Sequence, residues 1–221
     1  MTIGFSVNLF YLTFRGNDMG EHYYSENPTT KHAEQEFVYM FGGKKYRFST
    51  DSGVFSKNRV DYGTALLIEH AVIKPGSKVL DLAAGYGPIG IVLASKLIQG
   101  QLTMADINTR AVQLLKTNVI RNADCIPKDV SINIVGSDGF MSIAENDFDY
   151  IFLNPPIRAG KTTVFRLYRE AHIGLKQGGE LWIVIRKKQG ASSTTAELEN
   201  LYSNVEVVAK SKGYFIIKST K

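Results

Sequence analysis

The 221-residue chain is 44% hydrophobic, which is enough to bury the core of one α/β domain with a small appendage and excludes a disordered chain. Cys125 is the single cysteine, so a disulfide framework or a cysteine metal cluster within one chain is excluded and a reducing cytoplasm is expected. The net charge of +5 and the pI of about 9.1 suit a polyanionic partner without requiring one.

The first 57 residues divide into two predicted segments. Residues 1–18 are predicted to be a poorly ordered extension, with Met19 as the natural start, because the apolar run over 3–14 is too short to span a bilayer and lacks signal-peptide features. Residues 19–57 contain two strand-like runs on either side of a Gly-Gly pair, which is typical of a β-hairpin. The main domain is expected over residues 58–221.

From residue 58 onward, helical and strand-like runs alternate. Helices are predicted over 58–73, from the glycine turn after residue 82 to about 97, and over 109–121, 161–176 and 193–202. Strands are predicted over 79–82, 102–107, 130–135, 148–153, 180–185, 205–209 and 214–218. This alternation predicts an α/β fold with a doubly wound, mostly parallel sheet. Ligands of such sheets bind at the carboxyl ends of the strands, so the functional residues are expected there.

A glycine-rich turn follows the first strand of the main domain. Gly85, Gly87 and Gly90 match G-x-G-x-x-G, which alone suggests a dinucleotide. Asp81 would repel a pyrophosphate and attract an ammonium group, and Pro88 lacks the N–H that a phosphate needs at a helix start. The turn therefore favours S-adenosylmethionine (SAM), which has no phosphate and a positively charged methionyl end. NAD, and a turn that only packs a helix on the sheet, are the alternatives.

Acidic residues follow the next two strands. Asp106 is placed to accept hydrogen bonds from the two ribose hydroxyls that SAM and NAD share. Asp138, in the sequence Ser137-Asp138-Gly139, is placed to accept a hydrogen bond from the adenine amino group. The alternatives are a helix N-cap at Asp106 and an ordinary Ser-Asp-Gly turn.

The fourth strand of the main domain ends in Asn154-Pro155-Pro156. Each proline fixes φ and removes a donor, so the loop is expected to be stiff and to keep free backbone carbonyls. The side-chain oxygen of Asn154 and the carbonyl oxygen of Pro155 can then accept both hydrogens of a planar amino group. Two such acceptors orient the amine and stabilise the positive charge that develops during N-methylation, without a strong base. A turn that merely ends a strand is the alternative.

Together these motifs resemble the small-subunit ribosomal RNA guanine-N2 methyltransferases in their short, single-domain form. The more specific similarity lies in residues 51–57, in Asp61, Gly63 and Thr64, and in residues 186–191. The resemblance implies the class I SAM-dependent methyltransferase fold: a seven-stranded, mostly parallel sheet with one antiparallel strand, preceded by a small β-hairpin and a helix. It also implies methyl transfer from SAM to a guanine N2 amine of 16S ribosomal RNA, with that RNA or the small ribosomal subunit as partner.

The motifs and the resemblance assign three sets of residues. The catalytic set is Asn154, Pro155 and Pro156. The cofactor-binding set is Asp81, Ala83, Gly85, Gly87, Asp106, Ile107, Asp138, Gly139 and Asn154. The substrate-binding set is Phe55, Ile157, Arg158, Lys161, Arg186 and Lys187.

Ile157 departs from related proteins, which often carry an aromatic residue there that stacks on the flipped base. Stacking is therefore expected from Phe55 or is replaced by aliphatic contact. Arg166, Arg169 and Lys188 extend the basic set that is expected to contact phosphates. The second hypothesis is methylation of another planar amine, such as a protein glutamine amide or an adenine N6. A binding module without catalysis is a third reading, disfavoured by the intact motifs.

Three further expectations complete the sequence-based picture. The four histidines show no ligand spacing, so no metal is predicted. No membrane association is predicted, and the protein is expected in the cytoplasm. The sequence leaves monomer and homodimer open.

Overall fold

The computed structural model describes residue 26 and residues 33–54 and 59–221 of the chain. The predicted extension over residues 1–18 lies outside these residues. Strands β1 (Gln35–Phe41) and β2 (Lys44–Thr50) pair antiparallel and form the predicted hairpin.

The elements after the hairpin alternate as predicted. They are α1 (Tyr62–His70), β3 (Lys78–Leu82), α2 (Pro88–Ala94), β4 (Gln101–Asp106), α3 (Thr109–Arg121), β5 (Ser131–Gly136), β6 (Phe148–Leu153), α4 (Lys161–Gly174), β7 (Leu175–Arg186), α5 (Ala191–Leu201), β8 (Asn204–Ser211) and β9 (Tyr214–Thr220). Strands β3 to β9 form one sheet in the order β5-β4-β3-β6-β7-β9-β8. Within this sheet β9 is the one strand that runs in the opposite direction to the other six, which confirms the predicted fold.

The largest boundary errors concern helix α4, strand β7 and helix α1. Helix α4 ends at Gly174 and β7 begins at Leu175, whereas the sequence indicated a helix to residue 176 and a strand from residue 180. Leu175 is buried and pairs with Phe148, so tertiary pairing extends the strand across the Gly178-Gly179 pair. Helix α1 covers 62–70 rather than 58–73 because the side chain of its N-cap, Asp61, fixes its start.

The hydrophobic core lies on both faces of the sheet. Along β3, Val79 packs into the cluster on one face, and Leu80 and Leu82 pack into the cluster on the other. Burial on both faces explains why the central strands read as continuous apolar runs rather than as alternating ones. It also leaves the carboxyl edge of the sheet as the place for polar side chains.

Two asparagines of α3 attach the hairpin to the main domain. Asn118 accepts a hydrogen bond from the N–H of Ser49 (2.7 Å) and donates to the carbonyls of Ser49 and Tyr86 (both 2.8 Å). Asn122, one helical turn later, accepts from the N–H of Arg47 (2.9 Å) and donates back to its carbonyl (2.8 Å). The two amides thus pair with the edge of β2 as another strand would, and they direct the chain after β2 towards the carboxyl edge of the sheet.

Within the part of the chain that the structure describes, no helix combines the length and the apolar character needed to cross a bilayer. The same residues contain no group of three or more His, Cys, Asp or Glu side chains arranged to hold a metal ion.

Candidate functional site

The turn after β3 exposes backbone to a cleft at one of its glycines. Gly85 has a φ of +59°, and a Cβ built on it would meet no atom within 4 Å. Gly87 also has a positive φ, +93°, but its Cβ would lie 2.7 Å from the side chain of Leu115. Gly85 therefore leaves room for a ligand, whereas Gly87 is required by the packing of α2 against α3.

Asp106 holds this turn from the end of the neighbouring strand β4. One carboxylate oxygen accepts a hydrogen bond from the N–H of Gly85 and the other accepts from the N–H of Asn108, both at 2.8 Å. The side chain lines the cleft although the residue is only 6% exposed. Burial raises the pKa of the Asp106 carboxyl to about 6, although the hydrogen bonds from the two backbone N–H groups lower it. A ligand that donates further hydrogen bonds would favour the charged form of this carboxyl.

Asp81 lies beneath the same turn and is 1% exposed. One carboxylate oxygen accepts from the N–H of Gly90 (2.8 Å), and the other, Oδ1, is buried without a hydrogen-bond partner. Burial raises the pKa of Asp81 to about 7, and the negative charge of Asp106 adds to the rise. An unpaired buried carboxylate oxygen favours a cationic group nearby, which fits the methionyl end of SAM and does not fit a pyrophosphate.

A cleft lies above the turn. Its lining residues are Val54, Thr64, Ala83, Ala84, Gly85, Tyr86, Pro88, Ile89, Asp106, Asn108, Ala111 and Asn154. Apolar walls, an open backbone at Gly85 and a buried carboxylate are the features expected of a nucleoside site, so the residues fit SAM. Of the predicted cofactor set, Ala83, Gly85, Asp106 and Asn154 line this cleft.

The other predicted cofactor residues lie beside the cleft rather than on its lining. Asp81 is on β3, Gly87 belongs to the turn and is the N-cap of α2, and Ile107 follows β4. Asp138 forms an ion pair with Arg166 (2.5 Å) in the loop after β5, where Gly139 also lies.

Asn154 lies at the end of β6 with its side chain fixed by a hydrogen-bond chain. Its Nδ2 donates to the hydroxyl of Thr64 at 3.0 Å. The Thr64 hydroxyl in turn donates to Asp61, whose other carboxylate oxygen accepts from the N–H of Gly63 (2.9 Å). Because Nδ2 faces Thr64, the side-chain oxygen of Asn154 is the atom left to accept a hydrogen bond from a ligand.

The carbonyls of the Asn-Pro-Pro loop are not free, which corrects the expectation from the sequence. The carbonyl oxygen of Pro155 accepts from the N–H of Ile157 (2.9 Å), and that of Pro156 accepts from the N–H of Ala159 (2.9 Å). The second of these bonds belongs to the 3-10 turn over Ile157–Ala159. A carbonyl oxygen has two lone pairs, so Pro155 retains capacity for a second donor.

The predicted basic residues separate into paired and exposed groups. Arg166 binds Asp138 and Glu170, and Arg169 binds Glu197 at 2.6 Å, so these two stabilise the fold. The exposed cations are Arg158, Lys161, Arg186, Lys187 and Lys188.

A second cleft lies between α4 and α5. Ile157 and Lys161 line it together with Phe165 and Gln189, among others. Phe55, the proposed stacking residue, lies outside the described residues.

The segment after β2 reaches the cleft through contacts that sequence reasoning did not find. Asp51 is buried and forms an ion pair with Arg110 (3.4 Å), and Asn108 donates to the carbonyl of Gly53 (3.1 Å). These contacts place Val54 on the cleft lining. Asn108 also caps α3, so an asparagine directly before a predicted helix was the one sequence feature that pointed to a structural role for this residue.

The fold and this cleft define a class I SAM-dependent methyltransferase. The sequence profile of the family described as "Methyltransferase small domain" matches residues 45–218. The chain therefore belongs to the methyltransferase small domain family, and the predicted cofactor SAM is confirmed.

Individual relatives agree with this assignment. The chain is 44% identical over 207 residues to the uncharacterized protein YbxB of Bacillus subtilis, covering 92% of this chain and 100% of YbxB. Curated ribosomal RNA methyltransferases of both subunits match as well; small subunit methyltransferase C of Haemophilus influenzae is 35% identical over 76% of this chain and 49% of its own length. This chain thus spans about half the length of those enzymes.

A solved structure supports the fold. The 16S rRNA N2-guanine methyltransferase of T. thermophilus, in complex with AdoMet and guanosine, superposes with a TM-score of 0.73 at 24% identity, covering 88% of this chain and 52% of the other.

The buried carboxyl of Asp81 predicts a distinctive pH dependence of stability. Its folded pKa of about 7 exceeds the usual 3.8, so the folded state binds a proton that the unfolded state releases, and stability falls as pH rises through this window. Asp81→Asn keeps the acceptor for Gly90 and removes the titration. We expect the free energy of unfolding to fall between pH 5 and pH 8 by roughly 2 kcal/mol more in the unliganded wild type than in the variant. Denaturant unfolding at both pH values measures this, and parallel pH dependences would contradict the burial of a titrating Asp81.

Proposed function

We propose that this protein transfers the methyl group of SAM to the exocyclic N2 amine of a guanine in small-subunit ribosomal RNA. The observation that carries the proposal is that Asn154, with its side-chain oxygen left to accept, lines the same cleft as Gly85 and Asp106. The curated names of relatives support ribosomal RNA as the substrate.

We assign the following roles to the residues that would hold SAM. Gly85 provides close approach, and Asp106 accepts from the ribose hydroxyls while it holds the turn. Asp81, buried beneath the turn, contributes negative charge that attracts the cationic methionyl end. Asp138, held by Arg166, is assigned to the adenine amino group. Gly139 and Ile107 would contribute the backbone that follows Asp138 and Asp106.

When bound, SAM would supply an electrophilic methyl group on a sulfonium sulfur, and the sulfur would leave as a neutral thioether. Asn154 Oδ1 and the remaining lone pair of the Pro155 carbonyl would accept the two hydrogens of the target amine. Both acceptors hold the nitrogen in line with the methyl group and stabilise the charge it gains. Asp106 is the one carboxylate among the described residues that line the cleft, and both of its oxygens already accept from backbone N–H groups. The proton that the methylated amine loses is therefore released to solvent.

The substrate side of the cleft supports RNA. Ile157 and the exposed cations Arg158, Lys161, Arg186 and Lys187 follow the carboxyl ends of β6 and β7, on the same edge as Asn154. Cations at this position would hold phosphates while the cleft reads the base, which must leave its stack to reach Asn154.

Methyl transfer from labelled SAM tests the proposal. Undermethylated small subunits, free ribosomal RNA of each subunit and ribosomal proteins are offered separately, and labelled nucleosides are identified by mass spectrometry. We expect N2-methylguanosine in 16S RNA. Label only in protein would refute the RNA substrate, and label only in large-subunit RNA would refute the small-subunit assignment.

Asn154→Ala should abolish turnover in this assay, by about 10²-fold or more, because an acceptor aimed at the developing charge is lost. Its affinity for SAM, measured by calorimetry, should stay within about threefold of the wild type, a change of under 1 kcal/mol. Asn133→Ala, on the exposed surface of β5, is the matched control and should remain active.

A further inference from the structure

Two tyrosines and two cations form an exposed group at the carboxyl edge of the sheet. The ring centroids of Tyr62 and Tyr214 lie 5.8 Å apart. The guanidinium of Arg186 lies 4.9 Å from the centroid of Tyr214, and the ammonium of Lys212 lies 4.5 Å from that of Tyr62. The Tyr62 hydroxyl is hydrogen-bonded to Ser211 (2.7 Å). We call Tyr62, Tyr214, Arg186 and Lys212 the edge patch.

The edge patch borders the cleft that contains Asn154. The ring of Tyr214 lies so close to Gly63 that a Cβ there would be 2.6 Å from it, and the next residue, Thr64, lines the cleft and binds Asn154. The N–H of Lys187 donates to the carbonyl of Gly213 (2.8 Å), which joins the predicted basic segment to the β8–β9 turn. A polymeric substrate that enters the cleft from this side would cross the edge patch.

The β8–β9 turn holds its lysine in a left-handed backbone conformation. Lys212 and Gly213 both have positive φ, +47° and +79°. Two-residue hairpins of this geometry favour Asn-Gly, because Asn tolerates a left-handed backbone better than Lys. A strained residue whose side chain lies over an exposed ring points to a functional role.

We propose that the edge patch binds the unpaired nucleotides that flank the target base in the RNA substrate. The outer plane of the Arg186 guanidinium offers a surface on which a base stacks. Tyr62, which is 37% exposed, offers its ring as a second surface when Lys212 turns from that ring to a phosphate. Lys212 is exposed beside them and pairs with a phosphate. This inference rests on the proposed function, because it assumes an RNA substrate.

Binding of a labelled single-stranded RNA oligonucleotide at several salt concentrations tests the edge patch. Lys212→Asn relieves the turn, so the variant should fold at least as stably as the wild type, yet bind RNA several-fold more weakly with a salt slope lower by about 0.7. Tyr62→Leu should weaken binding about tenfold, and Tyr62→Phe, which keeps the ring, should restore most of it. Lys116→Gln, which removes an exposed cation from α3 beside β4 and β5, at the other end of the strand order, should bind as the wild type does.

Unchanged affinity and salt slope in Lys212→Asn would overturn the edge patch. So would an equal loss of binding to polyglutamate, because it would indicate a non-specific polyanion surface. Failure of the proposed function is recognised separately, by methyl label that reaches protein and not RNA in the wild type.

The hydrogen-bond chain behind Asn154 carries a second inference independently. Asp61 accepts hydrogen bonds only, so the Thr64 hydroxyl must donate its proton to Asp61. The Thr64 oxygen can then only accept from Asn154, which forces Nδ2 towards Thr64 and Oδ1 towards the cleft. The geometry points to Asp61 as a positioning residue that sets which end of the Asn154 amide faces the substrate amine; its importance for turnover rests on the proposed function.

Asp61→Asn tests this orientation with a nearly isosteric change. Asn caps a helix as well as Asp does, so α1 should persist. The new amide would donate to the Thr64 oxygen, so the Thr64 hydroxyl would donate its hydrogen bond to Asn154 instead. The Asn154 amide would then turn over so that Oδ1 faces Thr64. Turnover should fall about 10²-fold with unchanged SAM affinity. Thr64→Val should lose the same activity, and Thr64→Ser should retain it.

A second readout does not depend on methyl transfer. In the nuclear Overhauser spectrum of the wild type, the side-chain amide protons of Asn154, assigned by their absence in Asn154→Ala, should show contacts to the Thr64 methyl group. These contacts should disappear in Asp61→Asn. Contacts that persist in Asp61→Asn, or wild-type turnover in that variant, would overturn the role of Asp61, whereas an inactive wild type would refute only the proposed function.

Discussion

The site depends on one buried carboxylate that joins two loops at the carboxyl edge of the sheet. Asp106 ends β4 and accepts from the backbone of Gly85 after β3 and of Asn108 before α3. These bonds fix the glycine turn in the conformation that opens it to the cleft. Burial raises the pKa of this carboxyl because the charged form loses solvation. A ligand that donates hydrogen bonds to the carboxylate would stabilise that charged form.

The remaining parts of the site reach this point through neighbouring elements. Strand β6 pairs with β3, so Asn154 emerges beside the glycine turn. Helix α1 supplies Thr64 from the segment before the sheet, and the chain after the hairpin supplies Val54. The cleft is therefore built jointly by the parallel sheet and by the segment that precedes it, which the asparagines of α3 hold in place.

The sequence predicted the residues whose position follows from topology alone. Asp106 and Asn154 end parallel strands, and such strand ends share one edge, so their proximity to the glycine turn did not require knowledge of side-chain packing. The fold class followed from the same alternation and from the family resemblance. The Gly178-Gly179 pair concealed the first part of β7, because strand pairing with Phe148 overrides the local signal.

Side-chain partners distant in the chain were not predictable in this way. Thr64 and Asn154 are separated by 90 positions, and their contact depends on how α1 packs on the sheet. The sequence did not indicate that Arg166, 28 positions later, pairs with Asp138. The Pro155 carbonyl looked free because proline removes donors, whereas the N–H that engages it belongs to Ile157.

Calorimetric titration with SAM tests the central role of Asp106 most directly. The wild type should bind one equivalent, and Asp106→Ala should bind about tenfold more weakly or worse, since a buried hydrogen-bonding partner of the ligand and of the turn is lost. Asp129→Ala, which removes an exposed carboxylate outside the cleft, should bind as the wild type does. Equal affinity in the Asp106 variant would contradict the account.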